Sequence, residues 1–316
     1  MTLAERRGDS AIEGPGDLPK RSWRAAFRRT VRTFLDDELF DWAAALTYYS
    51  VLSIFPAIVV LVAAVGLVGQ SATQPLIENA QQLPSGQARE VMINILRQLE
   101  DAGAVAGPLA IVGLLGALWA ASAYIGGFIR ATNAIYEMAE GRPVWKTLPL
   151  RVALTLITVT LLSVCAFGVI VTGAIAERLG RLLGLASTGV LVWDIAKWPV
   201  LAFLTSLVIA MLYWAAPNVR HPGFRWLTPG SVLAVLLWVL ASAGFAFYVG
   251  NFGNYDNIYG SLAGVVVFLV WLWISNLAVL LGAKFDAELT RGREIARGHP
   301  ETKGPFLAPR DTRAMD

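Results

Sequence analysis

Six runs of this chain hold no charged residue, and each is long enough to cross a lipid bilayer. They cover 42–77, 102–129, 152–176, 198–219, 226–255 and 257–283, with lengths of 36, 28, 25, 22, 30 and 27 residues. About 20 apolar residues in a helix span a hydrocarbon core roughly 30 Å thick. Buried helices of soluble domains rarely reach such lengths without a charge, and six in one chain exclude a soluble fold. The expected fold class is therefore an all-α membrane protein with six transmembrane helices. Charged residues make up 16% of the chain, against roughly 25% in soluble domains.

The spans are expected at 43–69, 104–129, 152–176, 198–216, 228–250 and 260–283, within a bundle over 42–289. Lys and Arg set orientation, because they accumulate on the cytoplasmic side. The N-terminal tail, the second-to-third and fourth-to-fifth connections and the C-terminal tail together hold 21 of them, and the other three connections hold 5. Both termini are thus expected in the cytoplasm, and the protein in the bacterial plasma membrane. The net charge of +3 reflects this sidedness, not nucleic-acid binding. No signal-peptide pattern opens the chain, so the first span is expected to direct insertion.

The connections carry patterns of their own. Residues 1–19 are read as a disordered tail. In 20–41, Trp23, Phe27, Val31 and Phe34 recur at helical spacing while Arg21, Arg28, Arg29 and Arg32 take the other face. That describes an amphipathic helix, either on an anionic leaflet or packed on the bundle. Two further segments, 70–104 with Val91, Ile95 and Leu99 and 177–197 with Leu179, Leu182 and Leu183, are expected as interfacial helices on the outer side. Residues 290–316, rich in Gly, Pro and charge, are read as disordered.

Polar groups are costly in lipid, so those inside the spans mark either helix contacts or a wet path. In the first span Tyr49, Ser53 and Pro56 share a face, and Pro56 is expected to kink the helix. Asn133 lies at the cytoplasmic edge of the second span and Asn276 within the sixth. The short turn between the last two spans holds Asn251, Tyr255, Asp256 and Tyr259, which suit a head group or cation, or equally helix caps. Tyr49, Ser53, Pro56, Asn133, Asn251, Tyr255, Asp256, Tyr259 and Asn276 are the substrate-path candidates. Lys284 and Glu288 stand four apart and can pair. One cysteine, Cys165, and two histidines give no cluster of metal-ligand spacing, so no metal or cofactor is expected.

The residues at 43–56, 141–146, 222–249 and 251–289 resemble the YihY/BrkB family of bacterial inner-membrane proteins, over about 23–289. The family pattern near its end reads Gly-Ala-Glu with Asn two residues later, whereas this chain has Lys284 and Asp286 there. The resemblance implies a six-span inner-membrane protein. The family has carried ribonuclease and virulence-factor labels, and some members have been connected with envelope lipid export.

Three functions follow. The first is transport or flipping of a lipid or other amphiphile, with membrane lipids as partners; the absence of a GxxxxGK[ST] pattern means the chain would not hydrolyse ATP itself. The second is a non-enzymatic scaffold for other envelope proteins. The third, a membrane-bound ribonuclease, would need clustered carboxylates or histidines that the sequence lacks. The expectation is a non-enzyme, with oligomeric state unread.

Overall fold

The computed structural model describes residues 20–33, 38–68, 106–170, 187–221, 226–252, 263–298 and 305–315. The expected outer helix in 70–104 lies wholly outside these residues, as does the 1–19 tail. Of that in 177–197, residues 187–197 are described and open a long helix, Ser187–Ala215, instead of forming a separate one. Among the described residues seven helices form: α1 (Lys20–Arg32), α2 (Leu39–Val68), α3 (Ala106–Ile135), α4 (Val144–Ile170), α5 (Ser187–Ala215), α6 (Pro229–Phe252) and α7 (Ala263–Ala296). There is no strand among the described residues; an antiparallel bridge joins Val219 to Pro309.

Among the described residues, five stretches are long and apolar enough to cross a membrane: Ile111–Ile135, Val144–Cys165, Ile195–Ala215, Pro229–Asn251 and Gly264–Ala296. They overlap the expected second to sixth spans, and α2 covers the place of the first. The helices run beyond the charge-free stretches. α4 takes in Lys146 and Arg151, and α7 continues past Lys284 to Ala296. Charge marks where lipid ends, while a helix ends only where its backbone finds a better partner.

The chain divides into two compact units, one of residues 48–124 and one of residues 1–47 with 125–316. In the smaller unit, Tyr48 and Tyr49 meet edge to face at 5.6 Å. Its Leu115 and Trp119 stand exposed. Apolar surface of this kind, spread along long helices, is covered by lipid in a membrane.

In the larger unit α6 and α7 lie side by side. They come close at Gly230 and Gly282, where a Cβ on either would meet the other's carbonyl oxygen at 2.2 or 2.4 Å. Small residues permit this backbone contact. Farther along, Trp238 donates to Ser275 and Trp271 donates to Ser242, both at 3.1 Å. α1 packs on α7 through Ala26, Phe285 and Leu289, with Trp23 against Phe285. The Trp23–Phe27–Val31 stripe therefore divides: Trp23 reaches α7, whereas Phe27 and Val31 remain exposed. The line of contact with α7 runs through Ala26 and Arg29 instead, the latter paired with Glu288.

The C-terminal segment departs from expectation. α7 fills 290–296, and 305–315 is hydrogen-bonded to the helix ends instead of lying disordered. Arg220 N–H donates to Ala308, Arg310 N–H to Asn218 and Ala314 N–H to Gly141. Backbone pairing of this sort needs no apolar side chains, so composition gave no sign of it.

Candidate functional site

The helix ends of the larger unit meet in a polar network assembled from connections. α3 finishes with Glu137 in the left-handed region at φ 52°, and Met138 N–H donates back to the Asn133 carbonyl at 2.9 Å. This closure, more often made with glycine, turns the chain toward Glu140. Asn133 is buried; its amide donates to Glu140 at 2.9 Å and its oxygen accepts from Asn218 N–H at 2.7 Å. Glu140 grips the Arg142 guanidinium through two 2.7 Å bonds. Arg142, itself buried, donates onward to the Ala216 carbonyl at 2.7 Å. That places a cation on the unpaired carbonyls at the end of α5, where the helix dipole favours it. Burial opposes the charge on Glu140, but the Arg142 and Asn133 contacts outweigh it and hold the carboxyl below its ordinary range.

Asn218 ties in the C-terminal segment. Its amide donates to the Ala139 and Asp311 carbonyls at 3.2 and 2.8 Å, and its oxygen accepts from Asp311 N–H at 3.1 Å. Asp311 also pairs with Lys146 on α4. Arg310 lies over the Trp214 ring at 5.3 Å and donates to the Trp214 carbonyl at 2.9 Å. His221 meets Tyr136 edge to face at 5.5 Å. Burial, then the charges of Arg310 and Arg293, push the His221 pKa down to about 4. Burial and the nearby Asp286 carboxylate push the Tyr136 hydroxyl up.

A second cluster joins α1, α6 and α7. Glu288 is almost fully buried between Arg29 at 2.7 Å and Lys284 at 3.0 Å. Arg291 reaches Glu137 at 2.5 Å. Asp286 accepts from Gly230 N–H at 2.7 Å, at the start of α6, where Thr228 and Ser231 cap each other's N–H groups. The carboxylate complements the helix N-terminus. Lys284 and Asp286 thus both have structural work at the positions where the resembling pattern differs.

The sequence-predicted candidates do not converge. Asn133 alone belongs to the network just described. Asn276 is buried in α7 and donates to Thr47 at 3.1 Å. Ser53 donates to the Ser50 carbonyl of its own helix at 2.7 Å. Tyr49 is half-buried beside Tyr48. Asn251 is exposed and donates to Phe247 one turn back at 2.8 Å. Pro56 lies within α2, but its side chain is outside the described residues, as are Tyr255, Asp256 and Tyr259. Glu140, Arg142, Asn218, Arg310 and Asp311 were missed. They sit in connections or in the C-terminal segment, where each reads singly as a solvated charge or turn residue.

A family model described as Virulence factor BrkB matches residues 30–305. The chain belongs to that family. Among BrkB-related proteins it is similar to the putative ribonuclease-like protein YfkH of Bacillus subtilis (strain 168), 28% identical over 82% of this chain and 92% of that one. It is also similar to a UPF0761 membrane protein of Xanthomonas campestris pv. campestris (strain 8004), 29% identical over 87% of this chain and 63% of that one. A UPF0761 membrane protein of Xanthomonas oryzae pv. oryzae (strain PXO99A) is 28% identical over the same shares. The chain spans less than two thirds of the length of these Xanthomonas relatives. No solved structure matches. Family membership and the five long apolar helices identify a multi-pass inner-membrane protein.

Proposed function

We propose that this BrkB-family protein crosses the inner membrane six times, keeps both termini in the cytoplasm, and moves a lipid or other amphiphile. The observation that carries the transport reading is a contrast within the larger unit. Its polar end is closed by buried ion pairs and shared side-chain amides. Beyond that end, only 11% of the most apolar window of Val144–Cys165, and of Pro229–Asn251, is buried. Helices held at one end and scarcely covered along their length leave surfaces that acyl chains must fill. Placement of both terminal segments in the cytoplasm is supported by the Lys and Arg asymmetry, and by the Arg29–Glu288 pair between α1 and α7.

The test is reconstitution in vesicles containing a fluorescent phospholipid, with a membrane-impermeant quencher outside. Transport predicts quenching beyond the outer-leaflet half, at a rate above protein-free vesicles. No added quenching across several lipid classes would discard transport and leave the scaffold reading.

A further inference from the structure

A cavity of about 140 Å³ lies at the polar end of the larger unit, lined by Arg220, Thr290, Arg293, Glu294, Arg297 and Leu307. Three different segments build it: the last turns of α7, the residue that follows the Val219–Pro309 bridge, and the C-terminal segment. None of its lining belongs to the candidate path residues. We propose that this cavity is a binding site for a phosphoryl anion, either a lipid phosphate head group or a free phosphate.

The guanidinium groups are held in different ways. Arg293 donates to Thr290 Oγ1 at 3.0 Å, and Thr290 in turn donates to the Asp286 carbonyl, so Arg293 is oriented in advance. Arg297 bonds Glu294 at 2.9 Å. Arg220 is fixed through its backbone by the 2.9 Å bond to Ala308, while its exposed guanidinium has no hydrogen bond or ion pair among the described residues. Planar guanidinium forks match phosphate oxygens two at a time.

A simpler use for arginines here is to offset the α7 C-terminus, equivalent to about half a negative charge. That use does not account for Arg220, which lies outside α7 and whose guanidinium has no hydrogen bond or ion pair among the described residues. The charge of Arg293 is felt beyond the cavity as well, where it and Arg310 both disfavour the protonated form of His221. Asp286 lies within reach of Arg293 but is already bonded to the start of α6. The volume holds a phosphate and some water, since one water needs about 10–15 Å³ on this measure. Thr290 to Arg297 follow the apolar run by two to four turns, roughly 10–20 Å at 1.5 Å per residue. That depth reaches the head groups and the water beyond them.

The proposal does not depend on transport. It is tested with the full chain in neutral detergent, titrated with inorganic phosphate and, separately, with short-chain phosphatidylglycerol, in sulfate-free buffer at constant ionic strength. Binding is read by ³¹P line broadening and thermal shift. We expect saturable binding of at least one probe, weakened tenfold or more by Arg220→Gln with Arg297→Gln. Glu294→Gln, which removes the competing carboxylate, should tighten binding several-fold. Saturation by phosphatidylglycerol alone assigns a lipid head group, and saturation by phosphate alone assigns a soluble ligand. If neither probe saturates, or if Glu294→Gln leaves binding unchanged or weaker, the proposal is overturned. Because Glu294→Gln retains bulk and hydrogen bonding, it keeps the test decisive even where the double-arginine variant does not fold.

Discussion

At the residue scale, His221 and Arg142 illustrate opposite ways of holding a polar group at the helix ends. His221 is kept neutral: its folded pKa is about 4, against an ordinary value of 6.5. As pH falls through 6.5 the unfolded chain takes up the proton first, so stability declines from about pH 6.5 down to about pH 4 and levels off below. The integrated effect is on the order of 3 kcal/mol. His221→Phe, which keeps a ring against Tyr136, should flatten unfolding free energy across that window when denaturation in detergent is followed at several pH values. An unchanged slope would mean that His221 is more hydrated than its surroundings indicate. Glu140 acts lower on the scale. Its depressed pKa contributes stability above the ordinary carboxylate range, and that contribution disappears as pH falls through the folded value. Arg142 is its counterpart, buried and charged. Arg142→Met would strand Glu140 and uncover the end of α5. A fully buried pair broken on one side costs about 3–5 kcal/mol; with Glu140 partly solvated, about 2–3 kcal/mol is expected. Glu140→Gln should cost less, because an amide can still meet both Arg142 and Asn133. Thermal unfolding of the two variants checks the order.

At the element scale, the α6–α7 pair sets how closely the unit can pack. Gly282→Ala would bring a methyl to 2.4 Å from the Gly230 carbonyl and 2.6 Å from the Tyr213 hydroxyl oxygen. Neither helix can yield without disturbing the Asp286–Gly230 bond, and overpacking of this kind typically costs about 1–3 kcal/mol. A lower melting temperature is expected, whereas Gly244→Ala, with open space around it, should leave melting nearly unchanged. The long helices were legible because lipid imposes a pattern stronger than any tertiary contact. The Lys284–Glu288 pair was legible because its spacing is local. The amphipathic character of α1 was legible too, but which side met α7 was not, since Ala26 is too small to register beside Phe27. The Glu140–Arg142–Asn218–Asp311 assembly could not be read at all. Its members come from three distant parts of the chain, and what unites them is the need to satisfy carbonyls and N–H groups where helices stop.

At the scale of the whole molecule, the terminal segments act as fasteners. α1 is pinned to α7 by Arg29 on Glu288, and 305–315 binds the connections after α3 and α5. If the positive-inside asymmetry governs insertion, both ends must lie on one side, and the fastening forms only after every span is in place. This gives a joint expectation for topology and stability. In a Cys165→Ala background, single cysteines at Ser10 and Thr312 should both resist an impermeant maleimide in intact spheroplasts and react after permeabilisation. Labelling of one end alone before permeabilisation would rule out an even number of spans. Removal of 305–316 should leave insertion intact, because no apolar run is lost. It should nevertheless lower the melting temperature by several degrees, since Asn218 would lose three of its contacts and Lys146 its carboxylate. If the shortened chain melted like the full one, the segment would be a passenger on the helix ends instead of part of what holds them.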